Sequence, residues 1–145
     1  MLLYGVNKSV IQKLQKVQNA AARLISKRKK RESVRDVLID LHWLPVEQRI
    51  IFKLLVLTYK IINGLAPESL CSLLSVRSAD AFLLNNVYLD TTYGRRSFTY
   101  AAPRFWNALP LNIRASTSID VFKSQTKHLL FNDFTVFKSK AFIYL

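Results

Sequence analysis

The chain has 145 residues, of which 50% are hydrophobic, and carries a formal net charge of +13 at pH 7. This length allows one domain with a modest core, and the hydrophobic content excludes a chain that is disordered by composition. The single cysteine, Cys71, excludes an intramolecular disulfide and suits a reducing compartment. No apolar run approaches the ~20 residues of a membrane span, and no signal peptide is recognisable. We therefore expect an intracellular protein, nuclear or cytoplasmic and not secreted, with no membrane partner.

The positive charge is concentrated in the N-terminal part of the sequence. Residues 1–60 carry 13 Lys and Arg against 4 Asp and Glu, whereas residues 61–145 carry 9 against 5. A basic half of this kind is typical of a surface that binds a polyanion, such as RNA, DNA or an acidic membrane. The same excess also fits a solubilising charge balance or a patch that neutralises an acidic neighbouring domain.

The first predicted element is a helix over residues 8–26, for which Asn7 or Ser9 is the candidate cap. Its apolar residues step by 4, 3, 4 and 3 and form one narrow seam: Val10, Leu14, Val17, Ala21 and Leu24. Because the seam lasts barely over two heptads, we expect it to pack on a partner helix in the same fold and not in a long coiled coil.

Five consecutive cations follow this helix: Lys27, Arg28, Lys29, Lys30 and Arg31. Like charges repel along a helix face, so we expect a helix end or an exposed link at this point. Three interpretations of the run stay open: a clamp for phosphate groups, a nuclear-import signal and a solvated link.

Further helices are predicted through the middle of the chain. Ser33 is placed to cap a short helix over 34–41. Pro45 suits the first turn of a helix over 45–63, and Gly64 suits its C-terminal end. The apolar residues of this second helix form a broad stripe, which predicts a central helix packed on more than one side. Pro67 opens another short helix.

The second half of the sequence has a weaker pattern. Residues 76–94 lack helical periodicity, and 85–90 are interpreted as a short strand or a surface loop. Helices are predicted over 101–109, ending at Pro110, and over 119–131, while the tail 132–145 stays unassigned. The predicted fold is therefore mostly α: one domain over 1–131, built as an irregular bundle of five or six helices with one short β-hairpin near residues 85–100.

No group of residues suited to catalysis was found. Asp36 and Asp40 are spaced to share a helix face, which is common on solvated helices and gives weak support for a metal site. The two histidines and one cysteine lack zinc-ligand spacing, and no Gly-rich phosphate loop exists. His42, beside Trp43, is interpreted as a structural hinge residue and Cys71 as a small core residue. We expect no catalytic residue, metal, cofactor or small-molecule substrate.

Several aromatic and basic residues have both a structural and a binding interpretation. Trp43 and Trp106 are suited to stacking on unpaired bases, but their apolar neighbours favour core packing. Three arginines are candidates for pairing with helix-end carbonyls or buried carboxylates instead of phosphate: Arg49, Arg104 and Arg114. Arg95 and Arg96 follow Gly94 and are a second candidate for phosphate contact, on a backbone that the glycine frees.

Three motifs carry a resemblance to a known family. Residues 14–24 read LQKVQNAAARL, residues 41–46 read LHWLPV, and residues 101–110 read AAPRFWNALP after RRSF at 95–98. In order and spacing these motifs resemble the C-terminal end of the reverse transcriptase of non-LTR (LINE-type) retrotransposons. The resemblance covers roughly residues 7–131 and is to the segment that follows the catalytic palm and thumb.

The resemblance implies a segment that does not itself catalyse RNA-directed DNA synthesis. The catalytic Tyr-x-Asp-Asp motif of the family is absent from this sequence, and a polymerase needs such carboxylates to hold its metal ions. The implied partners are RNA or DNA backbone, bound without sequence preference, and the upstream polymerase domain of the parent protein. The alternative is a truncated relic, or a helical domain that binds a protein partner, whose mark would be exposed apolar surface.

Overall fold

Helices form most of the part of the chain that the computed structural model describes, which comprises residues 4–27, 29, 32–78 and 82–142. The helices, in order, are α1 (Lys8–Ser26), α2 (Val34–Asp40), α3 (Val46–Ile62), α4 (Glu68–Cys71), α5 (Phe98–Ala108), α6 (Leu111–Arg114), α7 (Ile119–Asn132) and α8 (Phe134–Phe142). A two-stranded antiparallel sheet, β1 (Val76–Ser78) and β2 (Leu83–Leu84), and a 3-10 turn (Gly94–Arg96) complete the described elements. The mostly α prediction is therefore confirmed, together with one short hairpin.

The main core lies among α3, α5, α7 and α8. Its largest fully buried side chains include Trp106 and Phe105 of α5 and Phe122 of α7. The ring of Phe122 stacks on Tyr59 of α3 at 4.5 Å between centroids and on Trp106 at 5.7 Å. These ring contacts add to the burial of three large apolar surfaces, so this aromatic group is the centre of the domain.

Helix α8, in the C-terminal tail, packs into this core. Phe137 and Ala141 of α8 are both buried in the main cluster, and Phe137 lies 6.0 Å from Phe105 between ring centroids. Lys138 forms an ion pair with Glu47 at the start of α3. The sequence left residues 132–145 unassigned because their apolar residues have no clear period, yet two residues four apart are enough to bury one side of this short helix.

Local signals set the helix ends much as the sequence predicted. Asn7 caps α1 by accepting a hydrogen bond from the Ser9 N–H at 3.1 Å, and Ser118 caps α7 through the Val121 N–H. Gly64 ends α3 with φ +66, where the Leu65 N–H donates to Lys60 O at 2.7 Å. Caps of this kind satisfy backbone groups that the helix leaves unpaired, which is why they could be recognised from sequence.

The same kind of C-terminal motif ends α2, with a histidine in place of glycine. His42 has φ +53, its N–H donates to Ile39 O at 2.9 Å, and the Trp43 N–H donates to Leu38 O at 2.7 Å. Trp43 also packs with Leu38 in a small second cluster that includes Ala22 of α1. His42 is therefore an exposed turn residue and Trp43 is half-buried against the junction of α1 and α2.

The hairpin lies at residues 76–84 and not near 85–100, as the sequence predicted. Val76 is opposite Leu84 and Ser78 is opposite Leu83, with an irregularity between the two pairs. Residues 85–93 form neither strand nor helix. The hairpin is held by α5, because Asn107 hydrogen-bonds both backbone groups of Leu84 at 2.9 Å. That contact is tertiary, so local sequence pattern did not reveal it.

The prediction for the inward face of α1 was wrong. In the predicted seam, Val10, Leu14, Val17 and Leu24 are exposed, and Ala21 is half-buried. The face that packs on the domain is formed instead by Ile11, Gln15, Gln18 and Ala22, which also step by 4, 3 and 4. The apolar period located a helix correctly but pointed to the wrong side of it.

Amide hydrogen bonds explain this choice of face. Gln15 Oε1 accepts from the Val46 N–H at 2.8 Å, and Gln18 Nε2 donates to Leu44 O at 2.9 Å. Gln15 Nε2 in turn donates to the side chains of Gln18 and Asn19, which orients both amides. The glutamines thus join α1 to the segment that precedes α3, and satisfied amides can occupy an inward face without a large desolvation cost.

Candidate nucleic-acid interface

The run of five cations begins where α1 ends. Lys27 adopts a left-handed conformation with φ +53, and its N–H donates to the carbonyls of Arg23 and Leu24. Lys29 is exposed, and its N–H lies 3.4 Å from Glu32 Oε1 while its carbonyl accepts from the Glu32 N–H. The predicted helix end is confirmed, and Glu32 places one negative charge beside the run. Arg28, Lys30 and Arg31 lie outside the described residues.

A row of cations on α1 leads into this run. Lys13 and Lys16 are exposed and Arg23 is half-buried; their positions step by 3 and 7, so the three share one side of the helix. The exposed Lys27 follows at the C-terminal cap of the helix. Helix α1 contains no Asp or Glu. At 1.5 Å per residue, the row spans about 21 Å along the helix axis. We call Lys13, Lys16, Arg23 and Lys27 the basic row.

Arg95 and Arg96 lie on the 3-10 turn and are both exposed. Arg95 Nε donates to Leu89 O at 3.2 Å, and the Arg96 guanidinium lies 5.8 Å from the centre of the Tyr93 ring. Both side chains therefore make contacts within the fold while remaining accessible to solvent. A phosphate group would have to accept hydrogen bonds from the guanidinium N–H groups of Arg95 and Arg96 that are not used in these contacts.

Gly94 does not free the backbone in the way that the sequence predicted. It does not adopt a positive φ, and a Cβ atom at this position would lie 2.8 Å from Thr91 Oγ1 and 3.2 Å from Leu89 Cβ. The glycine is needed because the loop at 89–91 approaches it closely. Gly94 therefore allows the close packing of the 3-10 turn that carries Arg95 and Arg96 and does not make that turn more flexible.

The two predicted clusters of cations do not form one site. The Arg96 stem packs so closely on Gly5, just before α1, that a Cβ atom there would lie 2.5 Å from Arg96 Cγ. Lys27 lies at the other end of the same helix, which has 19 residues and is therefore about 28 Å long. The basic row lies on the helix that separates them, so a bound strand would need to follow α1 to contact both.

The tryptophans and Arg104 serve the fold. Trp106 is fully buried and its Nε1 donates to Phe82 O at 2.7 Å, which confirms core packing for this residue. Arg104 is buried, its Nη1 donates to Val87 O and Tyr100 O at 3.2 Å each, and its guanidinium lies 3.6 Å from the centre of the Tyr100 ring. The pairing of Arg104 with carbonyls is therefore confirmed, and phosphate cannot reach it.

The other two arginines of that group differ from Arg104 and from each other. Arg49 is exposed on α3. Arg114 is half-buried at the end of α6, and burial lowers the pKa of its guanidinium. Its Nε and Nη1 are buried without a hydrogen-bond partner among the described residues. Neither arginine lies on the basic row.

A groove of about 530 Å³ lies beside α1. Its walls come from α1, α2, the start of α3 and the junction of α7 with α8, and they combine cations, amides and aromatic rings: Lys8, Arg35, Gln12, Gln48, Asn132 and Phe134. Its size is within the range of ligand pockets. Its polar groups are mostly amides, which bind by hydrogen bonding and do not transfer protons at neutral pH.

The described residues contain no group of three His, Cys, Asp or Glu side chains that could hold a metal ion. Asp36 and Asp40 are both exposed on α2, and His128 is exposed on α7 near the Asn132 amide. Cys71 is half-buried near the carbonyl of Ala66. Over the same residues, no helix is both long enough and apolar enough to span a membrane.

Comparisons with protein-family models, curated proteins and solved structures gave no match for this chain.

Proposed function

We propose that this chain is a non-catalytic segment similar to the C-terminal part of a LINE-type reverse transcriptase. We propose that the segment binds the backbone of RNA or DNA without recognising its base sequence. The observation that carries the proposal is the basic row. This row lies on a helix without acidic residues, and the cations 27–31 follow that helix directly in sequence. Cations that step along one helix face are suited to a chain of phosphates, which attracts them whatever the base sequence.

The residues of the three motifs that carry the resemblance have structural roles in the fold. Gln15 and Gln18 of the first motif bind the segment 44–46 of the second, and Trp106 and Asn107 of the third bind the hairpin. The motifs thus contact one another or hold their neighbours in place, as expected for a domain whose sequence is constrained by its fold. In a parent polymerase, such a domain would hold nucleic acid beside the catalytic region and would contact that region.

The proposal predicts steep salt dependence. If the run and the basic row together contact about seven phosphates, the logarithm of the affinity for single-stranded RNA should fall with the logarithm of salt concentration with a slope of about −5. The test is fluorescence anisotropy with a labelled oligouridine and an unrelated RNA of equal length, from about 50 to about 200 mM salt. Equal affinity for the two RNAs is expected, since phosphate contacts carry no sequence information.

Replacing all five residues 27–31 by Gln tests where the contacts lie. This change should reduce the magnitude of the slope by about 3.5, because each of the five single-strand contacts contributes about 0.7. The matched control removes five cations from α3, β1, α7 and α8: Lys60, Arg77, Lys123, Lys127 and Lys140. An unchanged slope in the first variant, or equal losses in both, would reject the run as the phosphate clamp.

The same experiment separates the proposal from its alternative. A relic without a selected nucleic-acid role would bind RNA only through its net charge, so both variants would lose affinity equally. Loss in the first variant alone would be incompatible with that alternative.

A further inference from the structure

The exposed seam of α1 has no partner in the described structure. We call Val10, Leu14, Val17, Ala21 and Leu24 the apolar stripe. Val17 is 68% exposed and Leu24 is 81% exposed, so the C-terminal half of the stripe is the more open one. Ile25, which is 57% exposed, widens it at that end. Isolated apolar residues on a surface are ordinary, but a continuous row of them marks an interaction site.

The spacing of the stripe indicates what shape covers it. Steps of 4, 3, 4 and 3 keep the residues on one line when the helix pairs with another helix, which is the seam of a coiled coil. Ala21 lies in the middle of this line, and its small side chain lets a second backbone approach closely. The stripe has no Trp or Phe, which a helix that inserts into a membrane surface normally supplies.

The charges beside the stripe indicate the chemistry of the partner. Lys13 lies one turn from both Val10 and Val17, so it flanks the seam on the side away from the domain. Lys27 caps the helix beside Leu24, whose carbonyl accepts from the Lys27 N–H. On the opposite flank are Ile11 and Gln18, which face the domain. A partner helix would therefore meet positive charge on its solvent-facing edge.

A second copy of this chain does not supply the matching charge. Helix α1 carries Lys8, Lys13, Lys16 and Arg23 and no acidic residue. Two such helices side by side would place cations against a surface without carboxylates, and like charges across a seam oppose pairing. The occupant that satisfies both the apolar seam and its flank is a helix that carries Asp or Glu.

We infer that the apolar stripe of α1 is a docking surface for an acidic amphipathic helix from another polypeptide. The partner would place its apolar residues against Val17, Ala21 and Leu24 and its carboxylates against Lys13 and Lys27. This inference does not rest on the proposed nucleic-acid binding. Because Lys13 and Lys27 belong to both surfaces, the acidic helix and RNA should compete for α1.

The test uses a labelled synthetic peptide of three heptads, with Leu at the two seam positions of each heptad and Glu at the two flanking positions. The Glu residues repel one another and discourage self-pairing of the peptide. A twin peptide with Lys in place of Glu is the charge control. We expect the Glu peptide to bind with a Kd of about 10 μM and the Lys peptide to bind at least about tenfold more weakly.

Two variants of the full chain locate the contact. V17N/L24N should weaken binding of the Glu peptide at least about tenfold, because both side chains would lie in the centre of the seam. The control, V121N/L111N, changes a Val and a Leu that are 45% and 51% exposed on α7 and α6, away from the stripe, and it should bind as the wild type does. Circular dichroism and the Tm of each variant show whether its fold is intact.

Other outcomes would overturn the inference. One is equal affinity for the Glu and Lys peptides. The other is an equal loss of Glu-peptide affinity in V17N/L24N and in the control V121N/L111N. A dimer in sedimentation that V17N/L24N abolishes would identify a second copy as the occupant. Stripe-dependent sedimentation with phosphatidylcholine vesicles containing phosphatidylserine would identify a membrane surface. RNA affinity should be unchanged in V17N/L24N, so failure here is distinguishable from failure of the proposed function.

Discussion

Asn107 of α5 forms two hydrogen bonds with the backbone of Leu84, one in each direction. Its Oδ1 accepts from the Leu84 N–H and its Nδ2 donates to the Leu84 carbonyl, both at 2.9 Å. The side-chain amide thus takes the place of a neighbouring strand and fixes the hairpin against the core. Asn107, a polar residue of the AAPRFWNALP motif, therefore has a structural role: it holds the hairpin against α5.

Replacing Asn107 by Ala should lower the free energy of unfolding by about 2 kcal/mol, because two hydrogen bonds to a partly buried backbone are lost. For a domain of this size the Tm should fall by about 5 °C. Thermal unfolding followed by circular dichroism measures the change. N112A alters an exposed Asn on α6 and should shift stability by less than about 0.5 kcal/mol. Similar losses in both variants would show that the contact with Leu84 contributes nothing specific.

Replacing His42 by Gly should stabilise the chain. His42 has φ +53 at the end of α2, a conformation that costs an L-residue about 1 kcal/mol and costs glycine little. H42G is expected to raise the free energy of unfolding in urea by about 0.5 kcal/mol, since glycine also gains freedom in the unfolded chain. H42A keeps the strain and should not be stabilising. A less stable H42G would indicate that the imidazole makes a contact that matters.

Replacing Arg104 by Lys should destabilise the fold although the charge is kept. Lysine cannot reproduce the planar stack on Tyr100 or the donor geometry toward Val87 and Tyr100. The expected loss is about 2 kcal/mol in urea unfolding. R49K makes the same replacement at an exposed position and should be nearly neutral. A neutral R104K would mean that the positive charge alone is sufficient.

The stability of the domain should fall at alkaline pH because of Tyr4. Burial, with a smaller contribution from Tyr100, raises the pKa of Tyr4 from 10.0 to about 12, although Arg104 acts in the opposite direction. Above pH 10 the unfolded chain ionises this phenol while the folded chain does not. The stabilisation is therefore complete below pH 10 and is lost as the pH rises toward 12. Urea unfolding should show a shallower decline in Y4F over this range, and identical declines would exclude Tyr4 as the cause.

Much of the fold could be predicted because helix signals are local. The predicted bounds of α1, α3 and α7 agree with the structure within one residue at each end, since Asn7, Gly64 and Ser118 act on adjacent backbone groups. The inward face of α1 could not be predicted, because it depends on hydrogen bonds from Gln15 and Gln18 to residues 26 or more positions away. The spacing of apolar residues alone predicts that the apolar stripe faces inward, although the fold leaves most of it exposed.

The candidate site was only partly visible in the sequence. The run 27–31 and the pair Arg95 and Arg96 were singled out as adjacent cations, but Lys27 and Arg96 lie at opposite ends of α1. Lys13 and Lys16 were not grouped with them, because these lysines are not adjacent in sequence to the other cations. Lys13, Lys16 and Arg23 are three and seven positions apart and come together only on the surface of the folded helix. For Arg104 both a structural and a phosphate-binding interpretation were open, and its hydrogen bonds to Val87 O and Tyr100 O support the structural one.

Lys13 and Lys16, the two exposed lysines of the basic row within α1, test most directly whether RNA binds along this helix. K13Q/K16Q should reduce the magnitude of the salt slope for single-stranded RNA by about 1.4, or two phosphate contacts. K123Q/K127Q removes the same charge from α7 and should leave the slope unchanged. Fluorescence anisotropy across a salt series measures both. Equal slopes for the two variants would contradict the account, because RNA would then respond to the net charge of the chain and not to α1.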